Sequence, residues 1–174
     1  MKYLVKFFVV TFFFLICTYA QAESKTVYID MKYVLNNSKA GKGAQDYLAK
    51  TFKENQKKFA DKEQELKKEE ADLLGKKNVL SKEDYTKKTD TLRKKVIDYQ
   101  SERRASLDKI TKQRTEARKE LLNQINPILE KYSKENNISL IIDKKFLVMG
   151  DNDLDITEVV ISKLDEVLPS LNLK

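Results

Sequence analysis

"FKENQKKFADKEQELKKEEADLL", residues 52–74, decides the fold. Four apolar residues in it, Phe52, Phe59, Leu66 and Leu73, stand seven apart. Such a repeat on a proline-free stretch is the mark of a helix that turns one seam toward a partner helix. Charged residues cover the other faces, and pairs such as Glu65–Glu69 and Lys68–Asp72 have ordinary solvated-face spacing. The seam is weak. With Phe52 as a first core position, the companion positions are Asn55, Lys62 and Glu69, where a firm two-stranded coil wants apolar side chains. The pattern predicts a helix over 44–74 that is about 45 Å long at ~1.5 Å per residue and bendable.

The partner helix is in the same chain. "GKKNVLSKED", residues 75–84, interrupts the pattern. Gly75 suits a left-handed helix end, and Ser81 with Asp84 three residues on has capping-box spacing. A second helix then runs from Lys82 toward Tyr132, with apolar positions that include Tyr85, Leu92, Val96, Tyr99, Leu107 and Ile110. Folded back on the first, one register sets Leu73 against Tyr85, Leu66 against Leu92 and Phe59 against Tyr99. Two seven-residue ladders stay in step once any one pair aligns, so the match is suggestive. Pro127 is expected to kink this helix, and Ile128, Leu129 and Tyr132 to enter a body. Asn136-Asn137 is expected to end it, since Asn tolerates the left-handed cap.

The two ends of the chain supply that body. "KTVYID", residues 25–30, alternates as a strand. "MKYVLNNSKAGKG" reads as a helical turn through Tyr33, Val34 and Leu35, then a break over Ser38–Gly43. "NISLIIDKKFLVMG", residues 137–150, reads as two short strands around a Lys-Lys turn. Asp155 and Glu158 have capping spacing before a last helix with Ile156, Val160, Leu164, Val167 and Leu168 on one face. The expected fold class is mainly α with a small β part: a body from residues 23–43 and 127–174, and a long antiparallel helical hairpin over 44–126 projecting from it. Three short strands cannot stand alone, and their open edges would template aggregation. Copies joined by rotational symmetry remove both problems, with Val27, Ile29, Leu140 and Ile142 at the shared sheet. Physics alone leaves two, three or four copies open.

Residues 1–22 read as a secretory signal peptide: Lys2 and Lys6, the apolar run "FFVVTFFFLICTY", then "AQA" for cleavage after Ala22. Ile16 before Cys17 argues against a lipoprotein signal. Cleavage removes the one cysteine, and the formal charge of +7 falls to +5 because Lys2 and Lys6 leave and no acid does. That charge in an exported protein points to acidic clients or anionic envelope lipid before nucleic acid. With no His, and no Cys after cleavage, the commonest acid/base and nucleophile arrangements are missing, so no enzyme, cofactor or metal is expected. "DNDLD", residues 151–155, begins like a calcium loop but has Ile156 where Gly is needed and Ser162 where the bidentate Glu is needed. It reads as a solvated turn that caps the last helix. Arg103 and Arg104 suit a phosphate or lipid head group, or simple solubility.

Four segments together carry a family resemblance. "VYIDMKYVLNNSKAGK", "LSKED" at the tip, "PILEKYSKENNISLIID" and "DITEVVISKL" resemble, in order, the Skp/OmpH family of periplasmic chaperones. The resemblance implies a homotrimer with a small shared β-barrel and three helical tentacles around a cavity. It implies an ATP-independent holdase that keeps unfolded outer membrane proteins from aggregating in the periplasm before insertion. Phe52, Phe59, Leu66, Leu92 and Tyr99 are then either seam residues or client contacts. The competing reading is a structural coiled-coil spacer or tether of the envelope. A tether should have a firm seam and an anchor, and neither is read here.

Overall fold

The computed structural model describes residues 25–173, so the signal-peptide reading lies outside the described residues. The elements are β1 (Lys25–Ile29), α1 (Met31–Asn37), α2 (Lys39–Gly75), α3 (Lys82–Glu135), β2 (Ile138–Asp143) and α4 (Thr157–Val167), with 3-10 turns at Lys144–Phe146 and Asn152–Leu154.

β1 and β2 pair in parallel, Val27 opposite Ile141 and Tyr28 opposite Ile142, so both long helices lie between the two strands in sequence. Successive strand residues face opposite sides. Val27, Ile29 and Ile141 turn inward onto a core of Val34, Leu35, Leu121, Ile125, Val160 and Leu164. The second strand expected after the lysine pair does not form in the protomer. A two-residue hairpin there needs positive φ at its turn, which lysine disfavours. Instead the Asp143 carboxylate accepts the Lys145 N–H at 3.1 Å and closes a 3-10 turn. Val148 and Met149 follow with fully exposed side chains. The sheet has two strands, not three.

The break expected over Ser38–Gly43 shrinks to one residue. Buried Ser38 accepts the Gly41 N–H at 3.2 Å, and Asp165 of α4 accepts the Lys39 N–H at 2.7 Å. These two acceptors satisfy first-turn amides that have no intrahelical partner, so α2 starts at Lys39 rather than 44. Gly41 is there for close approach: a Cβ would stand 2.0 Å from the Leu35 carbonyl oxygen.

At the far end α2 closes without the left-handed glycine. No described glycine has positive φ, and the Lys76 N–H bonds the Leu73 carbonyl at 3.1 Å instead. Ser81 caps α3 as expected. It accepts the Asp84 N–H at 3.1 Å and donates its hydroxyl to the Asp84 carboxylate at 2.7 Å. α3 runs on through Pro127 to Glu135, and Leu121 and Ile125 already belong to the core before the proline. Asn137, at φ 53°, turns the chain from α3 into β2.

α4 buries Val160 and Leu164, with Ile156 buried just before it, but leaves Val167 exposed. Ile156 at its N-cap has no capping side chain, and Asp155 before it accepts both the N–H and the hydroxyl of Thr157. Burial raises the Asp155 carboxyl, but the two Thr157 bonds and the Lys144 ammonium at 3.3 Å outweigh it and hold it below its ordinary value. The acidic turn 151–155 thus leads into the last helix and holds its first residue, Thr157, without supplying the N-cap expected of it.

Candidate functional site

α2 and α3 lie side by side in opposite directions. Between them the Phe59 and Tyr99 rings pack edge to face with centroids 6.0 Å apart. Lys62–Glu102 at 2.6 Å and Lys95–Glu69 at 2.7 Å bridge the helices beside this ring pair. Both ion pairs are half exposed, so water and salt screen them and each contributes little. The Tyr99 hydroxyl reaches Glu63 at 3.3 Å. The bond and charge of Lys67 lower the Glu63 carboxyl first, with a smaller contribution from Tyr99.

The five ladder residues are not equivalent. Phe59 is only 7% exposed and closes the seam, and Leu66, Leu92 and Tyr99 are half-buried along it. Phe52 is 47% exposed. Toward the body the helices leave open grooves between them. One of about 620 Å³ is lined by Tyr47, Thr51, Phe59 and Ile110, with Gln113 at its end. Another of about 320 Å³ lies against Phe52, Phe59, Tyr99 and Leu107. A third of about 650 Å³ is lined by Leu48, Ala49 and Phe52 together with Arg114 and Arg118. The weak companion seam positions explain the openings, because Asn55 brings a polar group where a coil would interlock an apolar knob. Tyr47, Phe52, Leu74, Val79, Ile97 and Leu107 remain exposed among charges. Such dispersed apolar groups make many weak contacts without one large aggregating patch.

The four residues expected at a shared sheet divide by face. Val27 and Ile29 are 2% exposed inside the protomer's own core. Leu140 is 53% exposed and Ile142 half-buried, on the opposite face with Tyr28. Tyr28 itself is covered by Gly150, where a Cβ would come within 2.8 Å of the ring, and by the Lys144 ammonium 5.7 Å from its centroid. Phe146, Val148 and Met149 follow β2 in sequence and are exposed. Read as a strand, "FLVMG" concealed them; a run of apolar residues without a paired neighbour was the available signal.

Among the described residues, no group of three or more His, Cys, Asp or Glu is placed to hold a metal ion, and no helix is long and apolar enough to cross a membrane. The family model described as "Outer membrane protein (OmpH-like)" matches residues 25–164. None of the curated proteins matches significantly. Among solved structures, the chain is similar to a candidate outer membrane chaperone (OmpH-like) from Caulobacter crescentus CB15, at 17% identity and a TM-score of 0.78. That match covers 89% of this chain and 92% of the other, and at such identity it speaks for the fold.

Proposed function

The chain belongs to the OmpH-like outer membrane protein family, and from that premise we propose that it is an ATP-independent holdase of the periplasm for unfolded outer membrane proteins. One observation carries the proposal. On a highly charged antiparallel helix pair, Tyr47, Phe52 and Leu107 stay exposed beside open grooves, while Phe59 closes the seam. Unfolded chains need many weak, exchangeable contacts, and this surface supplies them. A spacer would gain nothing from leaving its seam open.

The active form in this proposal is a homotrimer with the helix pairs as flexible arms. What supports it is a two-stranded sheet too small to stand alone, with Leu140 exposed on its outer face and the exposed Phe146, Val148 and Met149 following it in sequence. Sedimentation equilibrium of the mature chain should give three protomers. Leu140→Asp, on a side chain already half in solvent, should leave the protomer folded and dissociate the trimer, since an interface cannot bury an unpaired charge without a cost of several kcal/mol.

The function itself is tested by diluting a denatured outer membrane barrel protein into buffer with a molar excess of the mature chain and no nucleotide. Turbidity should be suppressed. Unchanged aggregation at low salt would refute the holdase reading.

A further inference from the structure

The family match ends at residue 164, and the chain continues as "DEVLPSLNLK", residues 165–174. α4 closes at Val167, and Leu168 and Leu171 then pack against the body core. From there the tail returns to α3, where the Leu173 carbonyl accepts the Gln113 side-chain N–H at 2.8 Å.

The landing point is a junction. α3 buries Ile110, Gln113, Ala117, Leu121 and Ile125 along one stripe. Leu121 and Ile125 belong to the body core, whereas Ile110 lines the groove beside Phe59 in the arm. Gln113 is the polar member, between the two regions. It stands eight positions past Leu121 toward the arm tip, about 12 Å along the helix axis. From Gln113 outward the groove of about 620 Å³ opens between α3 and α2, so α2 steadies α3 less there. α3 is one continuous helix through this junction, and a swing of the arm turns about the last point where the body grips it. Without the tail that point falls back toward Leu121. With the tail it lies at Gln113.

We infer that residues 168–173 are a strap that ties the body to the root of the arm and limits how far the arm swings. The strap is held loosely enough to release. Ser170 and Asn172 are exposed, and Leu171 and Leu173 are half-buried. A space of about 420 Å³ stays open between Ala117 of α3 and Leu168, Leu171 and Leu173, so tail and helix meet without filling it. Gln113 is 6% exposed, yet its amide oxygen has no partner among the described residues. A half-satisfied buried amide adds little net stability. Such a contact opens locally at far less cost than the whole fold. In a holdase the swing sets the width of client the arms admit. That use rests on the proposed function; the strap itself does not.

The test measures body against arm within one chain. A chain beginning at Glu23 has no cysteine, so Lys88→Cys on α3 and Ser162→Cys on α4, both exposed positions, take a dye pair alone. Labelled chain is mixed with a large excess of unlabelled chain, so that any assembly holds one labelled copy. Each ~10° of swing about Gln113 moves position 88 by about 6 Å, which single-molecule energy transfer resolves. Stopping the chain after Leu168 should broaden the distance distribution by at least that much. Amides of residues 109–117 should then exchange about tenfold faster relative to those of β1. Gln113→Ala in the full chain should speed the same amides about threefold. Alanine is the better helix former and carries no unpaired oxygen, so a Gln113 bond that held nothing would give slower exchange there. An unchanged width on truncation, equal acceleration in α3 and β1, or slower or unchanged exchange in Gln113→Ala overturns the strap. Should the shortened chain lose its fold, Leu171→Asp in the full chain decides. It should broaden the distribution, and an unchanged width overturns the proposal. No client enters these measurements, so their failure is distinct from failure of the holdase reading.

Discussion

Phe59→Ala and Phe52→Ala should separate packing from client contact, because the structure gives the same residue type two environments seven positions apart. Phe59 is 7% exposed and stacks edge to face on Tyr99. Removing a buried Phe side chain costs about 3–5 kcal/mol, part of it the aromatic pair. Open grooves of about 620 and 320 Å³ on either side admit water into the space left, which argues for the low end, about 3 kcal/mol. Phe52, at 47% exposed, has roughly half a side chain to lose, or about 1 kcal/mol. Native-state hydrogen exchange is the assay, since it reports on segments separately. In Phe59→Ala, amides around 59 and 99 should exchange about a hundredfold faster, at ~1.4 kcal/mol per tenfold. Amides of β1 and α4 should not change. In Phe52→Ala, exchange should change less than tenfold, yet protection of a denatured barrel protein should fall further than in Phe59→Ala. Equal acceleration in the two variants would refute the division of roles. So would loss of client protection in Phe59→Ala alone.

Gly41→Ala drives a methyl into the Leu35 carbonyl and should destabilise by about 1–3 kcal/mol in thermal unfolding, whereas Gly43→Ala, with open space around it, should be neutral or stabilise by up to ~1 kcal/mol. Asn137→Ala puts an alanine at φ 53° and should cost about 1 kcal/mol, while Asn137→Gly should not destabilise; denaturant midpoints decide. Asp143, through the Lys145 N–H above all, and Asp155, through its Thr157 bonds and Lys144 against the opposing effect of burial, are held below their ordinary values. A depressed folded-state value means stability that is complete above the unfolded-state range near pH ~4 and lost as pH falls through the folded value. Unfolding midpoints should therefore drop below about pH 4, and Asp155→Asn should flatten that drop; an unchanged acid slope would count against the Thr157 bonds.

Much of this protein is written locally in its sequence. The seven-residue ladder from Phe52 to Leu73, the Ser81–Asp84 cap and the Asn136-Asn137 stop each act within a turn or two of helix, so they could be read without a partner in view. They place both long helices and the Phe59–Tyr99 contact, and the alternation of "KTVYID" places the strand at 25–29. Tertiary structure decided what depends on distant partners. β1 finds β2 in parallel only across a segment of more than a hundred residues, most of it helical, and no local pattern states that direction. Gly41 and Gly43 suggest a break, yet Asp165 across the body supplies the acceptor that starts α2 before them. Phe52 and Phe59 occupy equal places in the ladder, but the helices close at one and open at the other, so burial separates them. Gln113 looks like one more polar residue on a charged helix. It becomes a buried amide because the chain's last residues return to cover it, and a contact across 60 positions has no signature shorter than the fold itself.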